Sequence, residues 1–171
     1  MKDKDMKKVL ENIIILVDSR ERNFSHIKMY FKQNKIPYEI KKLDFGDYSF
    51  KISKMESLDI EEQSFEKEIA IERKNSLSEI SGNFTRGRDR FKREFKRGGM
   101  SIRLMIENDS YGNIKKHNYK SQINPNSLVA SLHSFQEEFN SPFIFIDKDS
   151  SGEYIYKTFY YYLRNKLKNN N

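Results

Sequence analysis

IAIERKNSLSE, residues 69–79, joins a short β-branched apolar run to an acid and two bases, Glu72, Arg73 and Lys74. Ser76 and Glu79 then follow in a capping-box pattern that starts a helix. Successive strand side chains point to opposite faces, so Glu72 and Lys74 share a face and Arg73 points away. Charge at the end of a buried strand is costly unless it is paired or ion-bound. The stretch is either a strand-end ion pair or a site that handles a metal ion and an anion.

Working outward, strands alternate with helices. Residues 13–17 are an unbroken apolar run ending at Asp18, as expected of a strand covered on both faces. Phe24, Ile27 and Phe31 recur at helical spacing, and Pro37 follows that helix. Residues 38–43 alternate, and Gly46 marks a turn or bulge before a strand through Tyr48, Phe50 and Ile52. Residues 54–68 read as a polar loop or ragged hairpin. Leu77, Ile80 and Phe84 give one helical face that Phe91 and Phe95 continue, with a break or bend at Gly82 or Gly87 and an end at Gly98-Gly99. Residues 102–106 form a strand and 108–123 a polar loop. Asn124-Pro125 opens a helix, 143–146 is a strand, and Ile155, Phe159, Tyr162 and Leu167 mark a last helix. The class is α/β with a mixed sheet.

The 171 residues suffice for one domain with a real core, and 13 Phe and 10 Tyr offset a 33% charged composition. The absence of cysteine excludes disulfides and cysteine-ligated zinc and fits a reducing cytoplasm. The N-terminal apolar run is too short for a signal peptide or a membrane span, so no membrane association is expected. Net charge is +7, unevenly spread. Residues 54–68 carry six acids against two lysines; residues 86–97 carry seven bases against Asp89 and Glu94. Within that basic segment Arg86, Arg90, Arg93 and Arg97 recur at helical spacing. A solvated helix face competes with a phosphate-binding one, and the neighbouring carboxylates favour the latter.

Asp18 and Asp47 stand, like Glu72, where strands end. Three carboxylates and a lysine converging at one sheet edge are what magnesium-assisted phosphodiester hydrolysis requires: hard oxygens hold the ion and the lysine stabilises charge developing on the phosphate. Glu107, at the end of residues 102–107, reads as ordinary strand-end polarity, and His26, His117 and His133 as surface or packing residues. The aromatic run 159–162 has too many rings for one helix face; a dimer surface is the first expectation and base stacking the second.

Val17-Asp18-Ser19-Arg20-Glu21, Gly46-Asp47 and Glu72-Arg73-Lys74 in this order resemble the GD…ERK…D signature of the XPF-type nuclease domain (excision repair cross-complementation group 4). The resemblance implies a restriction-endonuclease-like three-layer fold, a central mixed β-sheet flanked by helices, with residues 1–171 as a single nuclease domain (core about 12–168). It implies Asp18, Asp47 and Glu72 as ligands of Mg²⁺ or Mn²⁺, Lys74 at the attacking water or scissile phosphate, and Arg20 and Arg73 on phosphate or holding carboxylates. Arg86, Arg90, Arg93 and Arg97 would bind DNA. The implied activity is endonucleolytic cleavage of flap, fork or junction DNA in repair, recombination or replication, with a catalytically weak or inactive DNA-binding subunit as the alternative. Ser78 stands where the family has its last acid, with Glu79 one position off. No tandem helix-hairpin-helix region is expected. The chain resembles the stand-alone versions of bacterial mobile elements and phages, hence a cytoplasmic protein, and a homodimer or heterodimer through C-terminal helices is implied.

Overall fold

The computed structural model describes residues 2–98 and 102–169. Among these residues seven strands form one mixed sheet: β1 (Ile13–Asp18), β2 (Tyr38–Lys41), β3 (Tyr48–Ile52), β4 (Gln63–Ser64), β5 (Ala70–Lys74), β6 (Ile102–Glu107) and β7 (Phe143–Ile146). The order is β2-β1-β3-β5-β6-β7, with β4 on β3. β1 runs parallel to β2 and antiparallel to β3, and β3 antiparallel to β5; β5, β6 and β7 are mutually parallel.

Helices cover both faces. α1 (Asp3–Glu11), α2 (Ser25–Gln33) and α7 (Ser151–Asn169) lie on one side; α3 (Leu77–Thr85), α4 (Arg88–Gly98), α5 (Tyr111–Lys115) and α6 (Pro125–Phe139) lie on the other. The pleat divides each strand between two cores. Ile71 and Met105 join Ile15, Phe50, Phe159 and Leu163 on the first side, while Ala70, Leu104 and Ile106 join Phe84, Phe95 and Phe135 on the second. The result is the expected α/β three-layer architecture, with β1 one strand in from the edge.

Caps stand where short polar side chains were placed by the sequence. Ser76 Oγ accepts from the Glu79 amide and Asn124 from the Asn126 amide. One region was given no element by the sequence, one differs from expectation, and one breaks at the second of the two glycines expected. Residues 3–11 are helical, because Val9 and Leu10 bury one turn against the first core beneath an otherwise charged surface. The polar segment 108–123 contains α5, started by Ser110 and anchored by Ile114. The run of helix after residue 76 is two helices broken at Arg86-Gly87, which leaves Arg86 as the C-cap of α3 rather than a member of α4. The expected stop at Gly98-Gly99 falls partly outside the described residues; α4 ends at Gly98.

Candidate active site

Gly46 sets the geometry. Its φ of +70° is open to glycine, and an added Cβ would stand 2.7 Å from the Ala70 Cβ. This close approach lets the Asp47 amide donate to the Ile71 carbonyl at 2.8 Å, while Asp47 Oδ2 accepts from the Arg73 amide at 2.7 Å. Asp47 is thereby hooked over the end of β5, beside Glu72.

Glu72 and Lys74 emerge on the α3/α4 side of β5. Lys74 Nζ donates to Glu72 Oε1 at 2.5 Å and lies 3.7 Å from Glu79 Oε1. Its ammonium also lies 5.2 Å from the Phe91 ring centroid. Glu72 Oε2 is buried with no hydrogen-bond partner. Burial raises Glu72 to about 7, against the opposing pull of Lys74. Burial, then the charges of Glu72 and Glu21, push Asp47 well above the usual carboxylate range. Burial pulls Lys74 down, but Glu72 and Asp47 outweigh it and hold the ammonium above its ordinary value. The cluster is short of positive charge.

Arg73, on the opposite face of β5, is held at both terminal guanidinium nitrogens, while its buried Nε has no partner. Its guanidinium donates to Glu107 at 2.7 Å, Glu21 at 2.5 Å, Asn75 at 2.6 Å and the Arg22 carbonyl at 3.0 Å. Glu107 in turn meets His26 Nε2 at 2.8 Å. Arg73 is thus a buried clamp joining β5, β6 and the loop after β1, the arrangement that the carboxylate-holding alternative describes. Glu107 is not idle strand-end polarity either, and His26 is its partner.

Asp18 is elsewhere. Oδ1 accepts from the Arg20 amide at 2.7 Å and Nε at 2.8 Å, and Oδ2 from Arg20 Nη2 at 3.0 Å and the Leu43 amide at 2.7 Å. The turn after β1 brings Arg20 back over the carboxylate. Burial would raise Asp18; the hydrogen bonds from Arg20 and Leu43 win and lower it. Among the described residues, no three His, Cys, Asp or Glu side chains gather as a metal cage. In this structure Asp47 and Glu72 lie on the cleft floor, while the carboxylate of the expected third member, Asp18, is held by Arg20 and Leu43.

These groups floor a cleft of about 640 Å³. Arg20 and Glu21 line one side; Glu79 and Asn83 of α3 and Arg90, Arg93 and Arg97 of α4 line the other. Three of the four ladder arginines face the cleft, and Arg86 does not, because the helix break rotates it away.

The family model of the ERCC4 domain matches residues 17–158, most of the chain and the whole of this cleft. The chain belongs to the ERCC4 domain family. No curated protein matches the ERCC4 domain described here. Among solved structures it is similar to XPF from Aeropyrum pernix, with a TM-score of 0.63 at 18% identity over 88% of this chain and 65% of that one. It is also similar to XPF from Aeropyrum pernix in complex with DNA, with a TM-score of 0.58 at 17% identity over 91% of this chain and 65% of that one. At these identities the likeness is one of fold. The ERCC4 domain spans about 65% of the length of either XPF chain.

In this ERCC4 domain Ser78 turns from the cleft and its Oγ accepts from the Lys120 amide at 3.0 Å. Glu79 lines the cleft, but its Oε2 is held by the Asn75 amide at 2.9 Å. A divalent ion fits the donor set at Asp47 and Glu72: an orphaned buried carboxylate oxygen, a second raised carboxylate, and hard oxygens of the type magnesium takes while keeping several waters. Glu21 was missed as a site residue. It shares a hydrogen bond with Asp47, and burial raises it. The only sequence signal was its place at the end of residues 17–21.

Proposed function

We propose that this ERCC4 domain is a magnesium- or manganese-dependent DNA endonuclease that hydrolyses phosphodiester bonds in flap, fork or junction DNA. One observation carries the reading. Glu72 has an unpartnered buried oxygen next to Asp47 and Lys74, at the bottom of a cleft walled by Arg90, Arg93 and Arg97. Family membership supports nuclease chemistry, and the likeness to an XPF solved with DNA supports the substrate class.

Asp47 and Glu72 would hold the ion, which when bound polarises a phosphoryl oxygen and lowers the pKa of a water. Lys74, kept protonated by its carboxylate neighbours, stands ready to stabilise charge gathering on the phosphate. Arg90, Arg93 and Arg97 present planar forks suited to the flanking phosphates. Arg73 acts through the backbone: its amide orients Asp47 while its side chain locks the end of β5.

A second reading, a DNA-binding subunit with weak or no catalysis, is favoured by two placements: Asp18 committed to Arg20, and Ser78 bonded to Lys120. Purified protein incubated with labelled flap, fork and duplex DNA, with and without Mg²⁺, separates the two. Hydrolysis predicts metal-dependent nicking that Asp47→Ala with Glu72→Gln reduces by at least 100-fold. Equal nicking by wild type and the double variant would end the enzyme reading.

A further inference from the structure

Helix α7 buries Ile155, Phe159 and Leu163 against the sheet. Its flank opens a second groove of about 770 Å³, in which Tyr154, Lys157, Tyr161 and Asn165 of α7 face Arg103 of β6, with Lys166 at one end. The groove shares no residue with the cleft and lies on the other helical layer. Tyr161 is 50% exposed.

The charge is one-sided. Lys166 is neutralised by Glu68, which also accepts from the Tyr162 hydroxyl at 2.8 Å. Among the described residues Arg103 and Lys157 have no ion-pair partner. Along α7, with Lys166 paired to Glu68, the cations Lys157, Arg164 and Lys168 are set against a single acid of the helix, Glu153. A second copy related by a two-fold axis would set these cations against themselves, which disfavours self-association through this face. A polyphosphate chain complements them. An exposed tyrosine, Tyr161, with half-buried Tyr154 beside unpaired cations is a pattern that holds unpaired bases by stacking while the groove tracks the backbone; in a duplex the base faces are already covered.

We propose that this groove binds single-stranded nucleic acid, with phosphates on Arg103 and Lys157 and bases against Tyr161 and Tyr154. The site goes beyond the cleft and needs no hydrolysis there.

The chain contains no tryptophan, so Tyr161→Trp installs a single reporter. Titration in EDTA with dT12 and, separately, rU12 is expected to quench its fluorescence saturably, the two arms telling DNA from RNA. The log affinity should fall with log salt at a slope of about −1.4, two contacts at roughly −0.7 each. Adding Arg103→Ala and Lys157→Ala should weaken the quench at least 10-fold while duplex binding stays within two-fold, with thermal melts confirming the fold. No quench, or a quench indifferent to both alanines, overturns the proposal. So does a Trp signal that follows protein concentration rather than oligonucleotide, with sedimentation showing a dimer. Nicking that survives while the quench is absent sinks the groove alone; a quench that survives while nicking is absent sinks the cleft reading alone.

Discussion

Asp18 and Asp47 carry the same side chain at the ends of neighbouring strands, yet their surroundings give them opposite chemistry. Asp18 accepts hydrogen bonds on both oxygens and is lowered; Asp47 is buried among other carboxylates and is raised. A lowered carboxylate contributes stability that is present above its unfolded value near 3.8 and lost as pH falls through its lower folded value. Asp18→Asn should therefore cost roughly 1–3 kcal/mol near neutral pH, read by urea denaturation, and the gap from wild type should close in acid. Glu72 has the reverse sign. Its folded value of about 7 lies above 4.5, so its contribution is present below pH 4.5 and lost as pH rises through about 7. In EDTA the melting temperature should drop between pH 5 and pH 8, Glu72→Gln should flatten that drop, and Mg²⁺ should restore wild type at pH 8 but not the variant. Asp18, Asp47 and Glu72 were legible as a set in the sequence. Their division was not, because which carboxylate meets a guanidinium depends on a turn that brings Arg20 back on itself.

At the scale of elements, the bulge at Gly46 and the break at Gly87 matter most. Gly46→Ala places a methyl 2.7 Å from the Ala70 Cβ at a φ of +70°. It should cost at least about 1–2 kcal/mol and, by displacing Asp47, lower nicking more than its stability loss explains, as a melt and a single-turnover assay on one preparation would show. The break at Arg86-Gly87 sorts the arginine ladder. Arg90→Ala and Arg93→Ala should each flatten the log-affinity against log-salt slope for duplex DNA by about 0.9, while Arg86→Ala leaves it unchanged. The helix-starting residues Ser76 and Asn124 were readable because capping is local chemistry. α1 and α5 were not, since each is held by one or two apolar side chains whose burial depends on distant parts of the chain, Val9 and Leu10 in α1 and Ile114 in α5.

At the scale of the whole molecule, the sheet separates two cores, and the first is stitched by rings from three distant segments. Phe50 stacks on Phe65 at 4.4 Å and on Phe159 at 5.2 Å between ring centroids. Phe159→Ala should cost about 3–5 kcal/mol and, if the layers melt together, do so in one transition seen alike by far-UV circular dichroism and tyrosine fluorescence. Periodicity and caps fixed the alternation of strands and helices, because the pleat and the helical turn are properties of a few consecutive residues. The order of motifs at residues 17–21, 46–47 and 72–74 was likewise written along the chain, and it pointed to the family that the match over residues 17–158 shows. Only the folded chain decided which charges meet. Arg73 reaches Glu107 and Glu21 from β5, Asp18 keeps Arg20, and Glu72 is left with an oxygen no neighbour satisfies. Local sequence sets the direction in which a side chain leaves its strand, but pairing and burial depend on what the topology brings to the other side.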